Sequence, residues 1–233
     1  MRILLTVLLF ANLPLLAQSN PRTEAGAVTP TVKDYPRHVA FLARIKQGEI
    51  GLLFLGDSIT DFWPGRGADS WAKFAPYNPA DFGIAGDRTE HVLWRITHGE
   101  LDGIHPKVVV LLIGINNLAQ LGTAEKPEWA AAGVKKILDT VREKLPDSKI
   151  LLLGVFPIRH KDDVQRPRVV QLNSLIQGFA DGVHIQYLYF GDKFLDPTGE
   201  IPADVMPDGV HPSAKGYAIW YAAMSPTLDE MMK

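Results

Sequence analysis

Gly51-Leu-Leu-Phe-Leu-Gly-Asp-Ser-Ile-Thr60 decides the reading of this chain. An apolar run that stops abruptly at Gly56, Asp57 and Ser58 has the form of a buried strand whose last turn lifts a hydroxyl out of the sheet edge, where open α/β sheets place their chemistry. Ser58 is the candidate nucleophile. The same letters allow a plainer reading, because Ser58-x-x-Asp61 also fits a capping box that only satisfies free backbone donors at a helix start. A serine hydroxyl is a weak nucleophile without an adjacent base. The rest of the chain must therefore supply that base, an acid to orient it, and donors for the oxyanion.

Outward from this stretch, apolar runs alternate with segments of helical spacing. Downstream, Asp81-Phe-Gly-Ile-Ala-Gly86 is a second strand, and a helix opening at Asp87 turns Val92, Leu93 and Ile96 inward. Lys107 to Gly114 is β-branched and apolar throughout, as a central parallel strand covered on both faces must be. A helix carrying Val134, Ile137, Leu138, Val141 and Leu145 ends at Pro146, and a fourth strand runs from Ile150 to Val155. Val169, Leu172, Ile176 and Phe179 mark another helix, Val183 to Tyr189 a fifth, edge strand, and Tyr217 to Leu228 a closing helix. Strand and helix in repeated succession predict a doubly wound parallel sheet of five strands, order 2-1-3-4-5.

In such a sheet all the strands' carboxyl ends share one rim. Ser58, Gly86, Asn116, the loop from Phe156 to His160, and Met206-Pro-Asp-Gly-Val-His211 all fall there. Acyl transfer to water needs a base for the serine proton, an acid that fixes the imidazole tautomer, and donors aimed at the developing negative oxygen. His211 and Asp208 suit the first two roles from one short loop, and the backbone N–H groups of Ser58 and Gly86 with the Asn116 amide suit the third. Each has a plainer alternative: a turn at Asp208-Gly209, turn chemistry at Gly86, a strand end at Asn116. His160 is the rival base, and the remaining histidines read as surface or structural. Ile59, Ile115 and Val210 flank this machinery and would shorten the acyl side. Asp57 and Trp63 complete the expected substrate-contacting set, with Phe62, Trp71, Phe156 and Arg159 as further rim groups able to meet a sugar ring.

Gly56-Asp-Ser-Ile-Thr60, Gly86, Gly114-Ile-Asn-Asn117 and Asp208-x-x-His211 resemble, in order, the four blocks of the SGNH (GDSL-type) hydrolases. Phe82-Gly-Ile-Ala-Gly-Asp-Arg-Thr-Glu-His-Val-Leu-Trp-Arg95 and His105-Pro-Lys-Val-Val-Val are similar to the branch of the platelet-activating-factor acetylhydrolase Ib catalytic subunits. The resemblance implies a flavodoxin-like three-layer α/β/α fold, no cofactor and no metal, and ester hydrolysis. It gives Ser58, His211 and Asp208 the roles of nucleophile, base and orienter, and Ser58, Gly86 and Asn116 those of the oxyanion hole. Two positions depart from the pattern: Ile59 stands for leucine, and Asn117 for the aspartate common after the third block's asparagine.

Composition sets the outer limits. A chain of 233 residues that is 46% hydrophobic and 21% charged supports one sizeable core, and a net charge of −2 with scattered signs offers no basic stripe to a phosphate backbone. Nucleic acid is therefore not an expected partner. Arg2, the apolar run Ile3 to Ala11 and the small residue Ala17 form an export signal over residues 1–18, too short for stable membrane insertion, the alternative being an uncleaved anchor. A flexible lead-in over 19–35 and a hydrolase domain over 36–233 follow. With no cysteine there is neither a lipid-modified cysteine nor a disulfide. The expected protein is periplasmic or extracellular and acts on a small-molecule or glycan ester, with acetyl esters favoured. Three other readings stay open: a lysophospholipase- or thioesterase-type acyl hydrolase, a metal-dependent phosphoesterase using Asp57, Asp87, Asn116, Asp208 and His211, and a non-catalytic carbohydrate-binding domain.

Overall fold

A computed structural model describes residues 22–233, so the expected export signal over residues 1–18 lies outside the described residues. Five parallel strands form one sheet in the order β2-β1-β3-β4-β5: β1 Leu52–Gly56, β2 Pro79–Gly83, β3 Val108–Leu112, β4 Lys149–Leu153 and β5 Ile185–Leu188. Every residue of β1 and β3 is buried, which is why those runs carry no polar alternation. Leu52 pairs with Pro79 on one side and with Val108 on the other, and Gly56 with Gly83 and Leu112. The chain thus leaves β1 toward one edge, then returns past it to build β3. That reversal opens a crevice outside the carboxyl ends of β1 and β3.

Ten helices are described, α1 Glu24–Val28, α2 Tyr35–Ile45, α3 Ser58–Asp61, α4 Trp63–Arg66, α5 Ala68–Trp71, α6 Thr89–Thr97, α7 Ile115–Leu121, α8 Pro127–Lys144, α9 Gln165–Gln177 and α10 Ala214–Met231. One layer joins α8 to α6 and α9, and in the other α10 packs on α4 and α5. The longest of the first group, α8, starts with Pro127 at its first position, turns Val134, Ile137, Leu138 and Val141 inward, and ends at Leu145 before Pro146. Its length follows from that unbroken stripe.

Three expectations are corrected here. The flexible lead-in, where described, is a packed strap: Ala27 on α1 is fully buried, its carbonyl accepts the Thr89 hydroxyl at 3.0 Å, and α1 lies on α8 and α6. The strap comes close enough for this because a Cβ on Gly133 of α8 would lie 2.8 Å from the Ala27 carbonyl oxygen. Trp63, expected at the substrate rim, is fully buried. Three single-turn helices and a 3₁₀ turn over Ala72–Tyr77 fold the crossover after Ser58 inward, and the Trp63 ring lies 4.1 Å from Trp220 and 5.3 Å from Tyr217, centroid to centroid. Its indole N–H donates to the Ser70 hydroxyl at 2.8 Å. Phe156 is buried too, between Phe194 and Trp220.

Candidate active site

Asp57 shapes the start of the site. Its Oδ1 accepts the Ile59 N–H at 2.9 Å, capping α3 so that the helix begins on Ser58. Asp61 does not close a capping box, since its carboxylate accepts the Ala85 N–H and pairs with Arg37. Gly56 permits the tight exit from β1, because a Cβ there would sit 2.7 Å from the Leu112 carbonyl oxygen. Ser58 is 6% exposed, and its hydroxyl lies 2.9 Å from His211 Nε2 although 153 residues separate them.

The other imidazole nitrogen, His211 Nδ1, donates to Asp208 Oδ2 at 2.7 Å. Asp208 Oδ1 meanwhile accepts the backbone N–H groups of Val210 (3.0 Å) and His211 (2.7 Å), folding the loop into an Asx turn with Gly209 at φ +71°. Partial burial works against its charge, but the His211 and Val210 N–H groups and the imidazole hold its carboxyl down at about 2. It is therefore a permanent acceptor for the imidazole. The Arg159 N–H donates to the Gly209 carbonyl at 2.6 Å and locks this loop to the one after β4. The rival base His160 is an exposed surface side chain beside Glu200.

The three expected oxyanion donors come from three strand ends. As the first residue of α3, Ser58 has an N–H without an intrahelical acceptor. Gly86, at φ +77°, is the third residue of a turn closed by the Asp87 N–H to Ile84 carbonyl bond, and Gln120 Nε2 donates to its carbonyl. Asn116 Nδ2 donates to the Asp87 carbonyl at 2.9 Å and to Asp57 Oδ2 at 3.3 Å. Burial pushes the Asp57 carboxyl up to about 7, against the pull of the Ile59 N–H.

Beneath this turn lies a buried charge network that the sequence reading missed. Arg95 on α6 binds Asp87 Oδ2 at 2.8 Å, Glu100 Oε2 at 2.5 Å and the Gly56 carbonyl at 3.1 Å, and Glu100 also takes His38. It ties the end of β1 to the turn holding Gly86. The available signal was an arginine inside the apolar stripe of Val92 and Ile96, where a lone charge would be costly. Asn117 anchors the neighbouring helix: Oδ1 accepts the Thr89 N–H at 3.0 Å, and Nδ2 faces Thr89, Glu90 and Glu125. Of the expected substrate contacts, Ile59, Ile115 and Asp57 are buried, Trp63 belongs to the core, and Val210 keeps exposed surface. Phe62 is half-buried 5.2 Å from the His211 ring. Beside Asp208 opens a cleft of about 460 Å³ lined by Arg159, His160, Asp163, Ile201 and Met206. Among the described residues no three His, Asp or Glu side chains converge as a metal site would require.

The arrangement can deprotonate an alcohol, hold the resulting imidazolium, and offer hydrogen-bond donors to an oxyanion. Known proteins resemble this chain in sequence and in fold. Residues 54–219 match the model of the GDSL-like lipase/acylhydrolase family. Human platelet-activating factor acetylhydrolase IB subunit alpha2 is 33% identical over 184 residues, 78% of this chain and 77% of that protein, and human subunit alpha1 is 34% identical over 182 residues, 77% of this chain and 76% of that one. A GDSL-like lipase from Bacteroides thetaiotaomicron superposes with a TM-score of 0.70 at 18% identity, covering 84% of this chain and 99% of that one. A variant acetyl xylan esterase from Geobacillus stearothermophilus gives 0.61 at 22%, covering 77% and 93%. This chain belongs to the GDSL-like lipase/acylhydrolase family and is a carboxylic ester hydrolase.

Proposed function

We propose that the protein is a serine esterase that cleaves short-chain, chiefly acetyl, esters of carbohydrates or glycosides outside the cytoplasm, through an acyl-enzyme on Ser58. The observation that carries the reading is the unbroken relay from the Ser58 hydroxyl to His211 Nε2 (2.9 Å) and from Nδ1 to Asp208 (2.7 Å). His211 takes the hydroxyl proton as Oγ attacks the ester carbonyl, and Asp208 keeps the remaining N–H on Nδ1 and stabilises the imidazolium. The carbonyl oxygen, now negative, meets the Ser58 and Gly86 N–H groups and the Asn116 amide. Collapse expels the alcohol with the proton from His211. Water then repeats the sequence, releasing the acid and restoring Ser58.

The acetyl preference rests on branched side chains next in sequence to the machinery: Ile59 beside the nucleophile and Ile115 beside the Asn116 donor, both buried, and the half-buried Val210 beside the base. Relatives named as acetylhydrolases and a fold neighbour named as an acetyl xylan esterase point the same way. For the alcohol side, the cleft beside Asp208 mixes donors and acceptors from Arg159, His160 and Asp163 with the apolar faces of Ile201 and Met206, a lining suited to a sugar ring. Export rests on the charged start and short apolar core of residues 1–18.

The test compares p-nitrophenyl acetate with the decanoate in the wild type and in Ser58→Ala. We expect faster turnover of the acetate and a loss of at least 10³-fold in the variant, in line with removal of an acyl-transfer nucleophile. Activity surviving in Ser58→Ala would overturn the mechanism. Preference for the decanoate would overturn the acyl-chain assignment and favour the lysophospholipase-type reading.

A further inference from the structure

The strap ahead of α2 ends on the turn that holds Gly86. Lys33 Nζ donates to the Ala85 carbonyl and lies 3.4 Å from Asp87 Oδ1. Ala85 carbonyl and Gly86 N–H belong to one peptide unit. That unit is planar and trans, so its oxygen and its hydrogen point in opposite directions. A cation fixed on the oxygen therefore fixes where the Gly86 N–H points, and it polarises that N–H into a stronger donor.

Everything else polar in the turn is engaged. The Ala85 N–H goes to Asp61 Oδ2 at 3.1 Å, the Asp87 N–H to Ile84, and the Gly86 carbonyl accepts Gln120 Nε2 at 3.2 Å. Within the turn only the Gly86 N–H has no acceptor among the described residues, although the groups around it are held from three directions. The ammonium is also close to the glycine itself, since an ideal Cβ on Gly86 would stand 3.3 Å from Nζ. Asp87 does not cancel it, because the other Asp87 oxygen is occupied by Arg95 at 2.8 Å.

Lys33 is delivered with some care. The Thr31 N–H donates to the Glu90 carbonyl at 3.0 Å, Ala27 is buried against Thr89, and Arg22 pairs with Glu125 at 2.5 Å and Glu90 at 3.1 Å. Arg22, Ala27, Thr31 and Lys33 all lie upstream of residues 54–219, the stretch that matches the family, while their partners Thr89, Glu90 and Glu125 lie within it. Resting on the esterase reading above, we infer that Lys33 is a positioning residue of the reaction: from the N-terminal strap it grips the Ala85 carbonyl so that the Gly86 N–H faces the oxyanion of the tetrahedral adduct.

The experiment measures K33M and K33R beside the wild type, with p-nitrophenyl acetate turnover, inhibition by methylboronic acid and thermal unfolding as readouts. The boronate forms a charged tetrahedral adduct on the serine, so it reads the oxyanion donors without turnover. Deleting a donor outright typically costs about 10²–10³ in rate, so misaiming one is expected to cost about tenfold. K33M should lower kcat by about that factor with KM within twofold, weaken boronate binding by a similar factor and melt with the wild type, while K33R recovers most of both losses. Wild-type kcat and boronate affinity in K33M would overturn the inference, as would a loss confined to KM or one shared by K33R and tracking a lowered melting temperature. Wild-type hydrolysis abolished in Ser58→Ala, measured in parallel, keeps a failure of this inference distinct from a failure of the esterase reading.

Discussion

Trp63→Phe separates a core residue from a substrate contact. The indole is fully buried, its ring lies 4.1 Å from Trp220 and 5.3 Å from Tyr217, and its N–H donates to Ser70 Oγ at 2.8 Å. Phenylalanine keeps the apolar contact and drops the donor. Ser70 still donates to the Gly67 carbonyl at 2.8 Å, so the lost hydrogen bond costs about 1 kcal/mol rather than the larger sum for an orphaned group. A residual void of about 40 Å³, at about 24 cal/mol per Å³, adds about 1 kcal/mol. Together these give about 2 kcal/mol. For a chain of this size that corresponds to a fall in Tm of about 4–8 °C. Thermal unfolding by circular dichroism measures the first quantity, and p-nitrophenyl acetate kinetics at 25 °C measure the second. Both kcat and KM should stay within twofold, because the ring faces α10 and the crossover, not the crevice. An unchanged Tm with a fivefold or greater rise in KM would refute the reasoning and return Trp63 to the substrate.

Two further substitutions test buried charge. Asn117→Asp would set a carboxylate oxygen where the amide now stands 3.2 Å from Glu125 and 3.4 Å from Glu90, and it should lower Tm by several degrees at pH 8 and by less at pH 5. A midpoint at pH 8 equal to the wild type would count against the network as described. Asp81 has a buried Oδ2 without a partner among the described residues, and burial pushes its carboxyl up to about 7, with the Gly83 N–H at 2.7 Å opposing. The unfolded chain releases this proton near 3.9, so between about 4 and 7 the folded state binds more protons and this group makes stability fall as pH rises. Asp81→Asn should therefore gain Tm over the wild type progressively from pH 5 to pH 8, and a gap that is the same at both would refute the assignment.

What could be read from the sequence was what repeats or ends abruptly. Strands β1 and β3 announce themselves because covering both faces removes every polar residue; β1 ends at Gly56 and Gly114 follows β3 by two residues, just where the chain must turn. Asp208 and His211 were legible as a pair because three residues span one turn. The strap over 22–34 was not, because it binds through means that hydropathy does not register: a small side chain at Ala27, backbone groups at Thr31 and Ala27, and the long cations Arg22 and Lys33. Its Pro, Thr and Gly content suits a linker equally well. The network of Arg95, Glu100 and His38 escaped for another reason, since its members lie up to 62 residues apart and no local pattern joins them. Trp63 was misassigned because proximity in sequence to Ser58 says nothing about which way a single-turn helix faces.

The same geometry gives Asp57, expected as a substrate contact, a structural task beside Ser58. Its two oxygens do different jobs: Oδ1 starts α3 by accepting the Ile59 N–H, and Oδ2 receives the Asn116 amide from the end of β3. At 3.3 Å the bond to Oδ2 is longer than the 2.9 Å bond from the same amide to the Asp87 carbonyl. An oxyanion competing for Nδ2 would therefore displace the Asp57 contact first, leaving the Asp87 bond to keep the amide in place. Asp87 is in turn held by Arg95 and Lys33, so the proposed donors from β1, β2 and β3 are all braced through one residue, Asp87, by its carboxylate or its backbone carbonyl. On the proposed mechanism such cross-bracing would let three remote strand ends present a preorganised set of donors, the condition under which electrostatic stabilisation costs no reorganisation during the reaction.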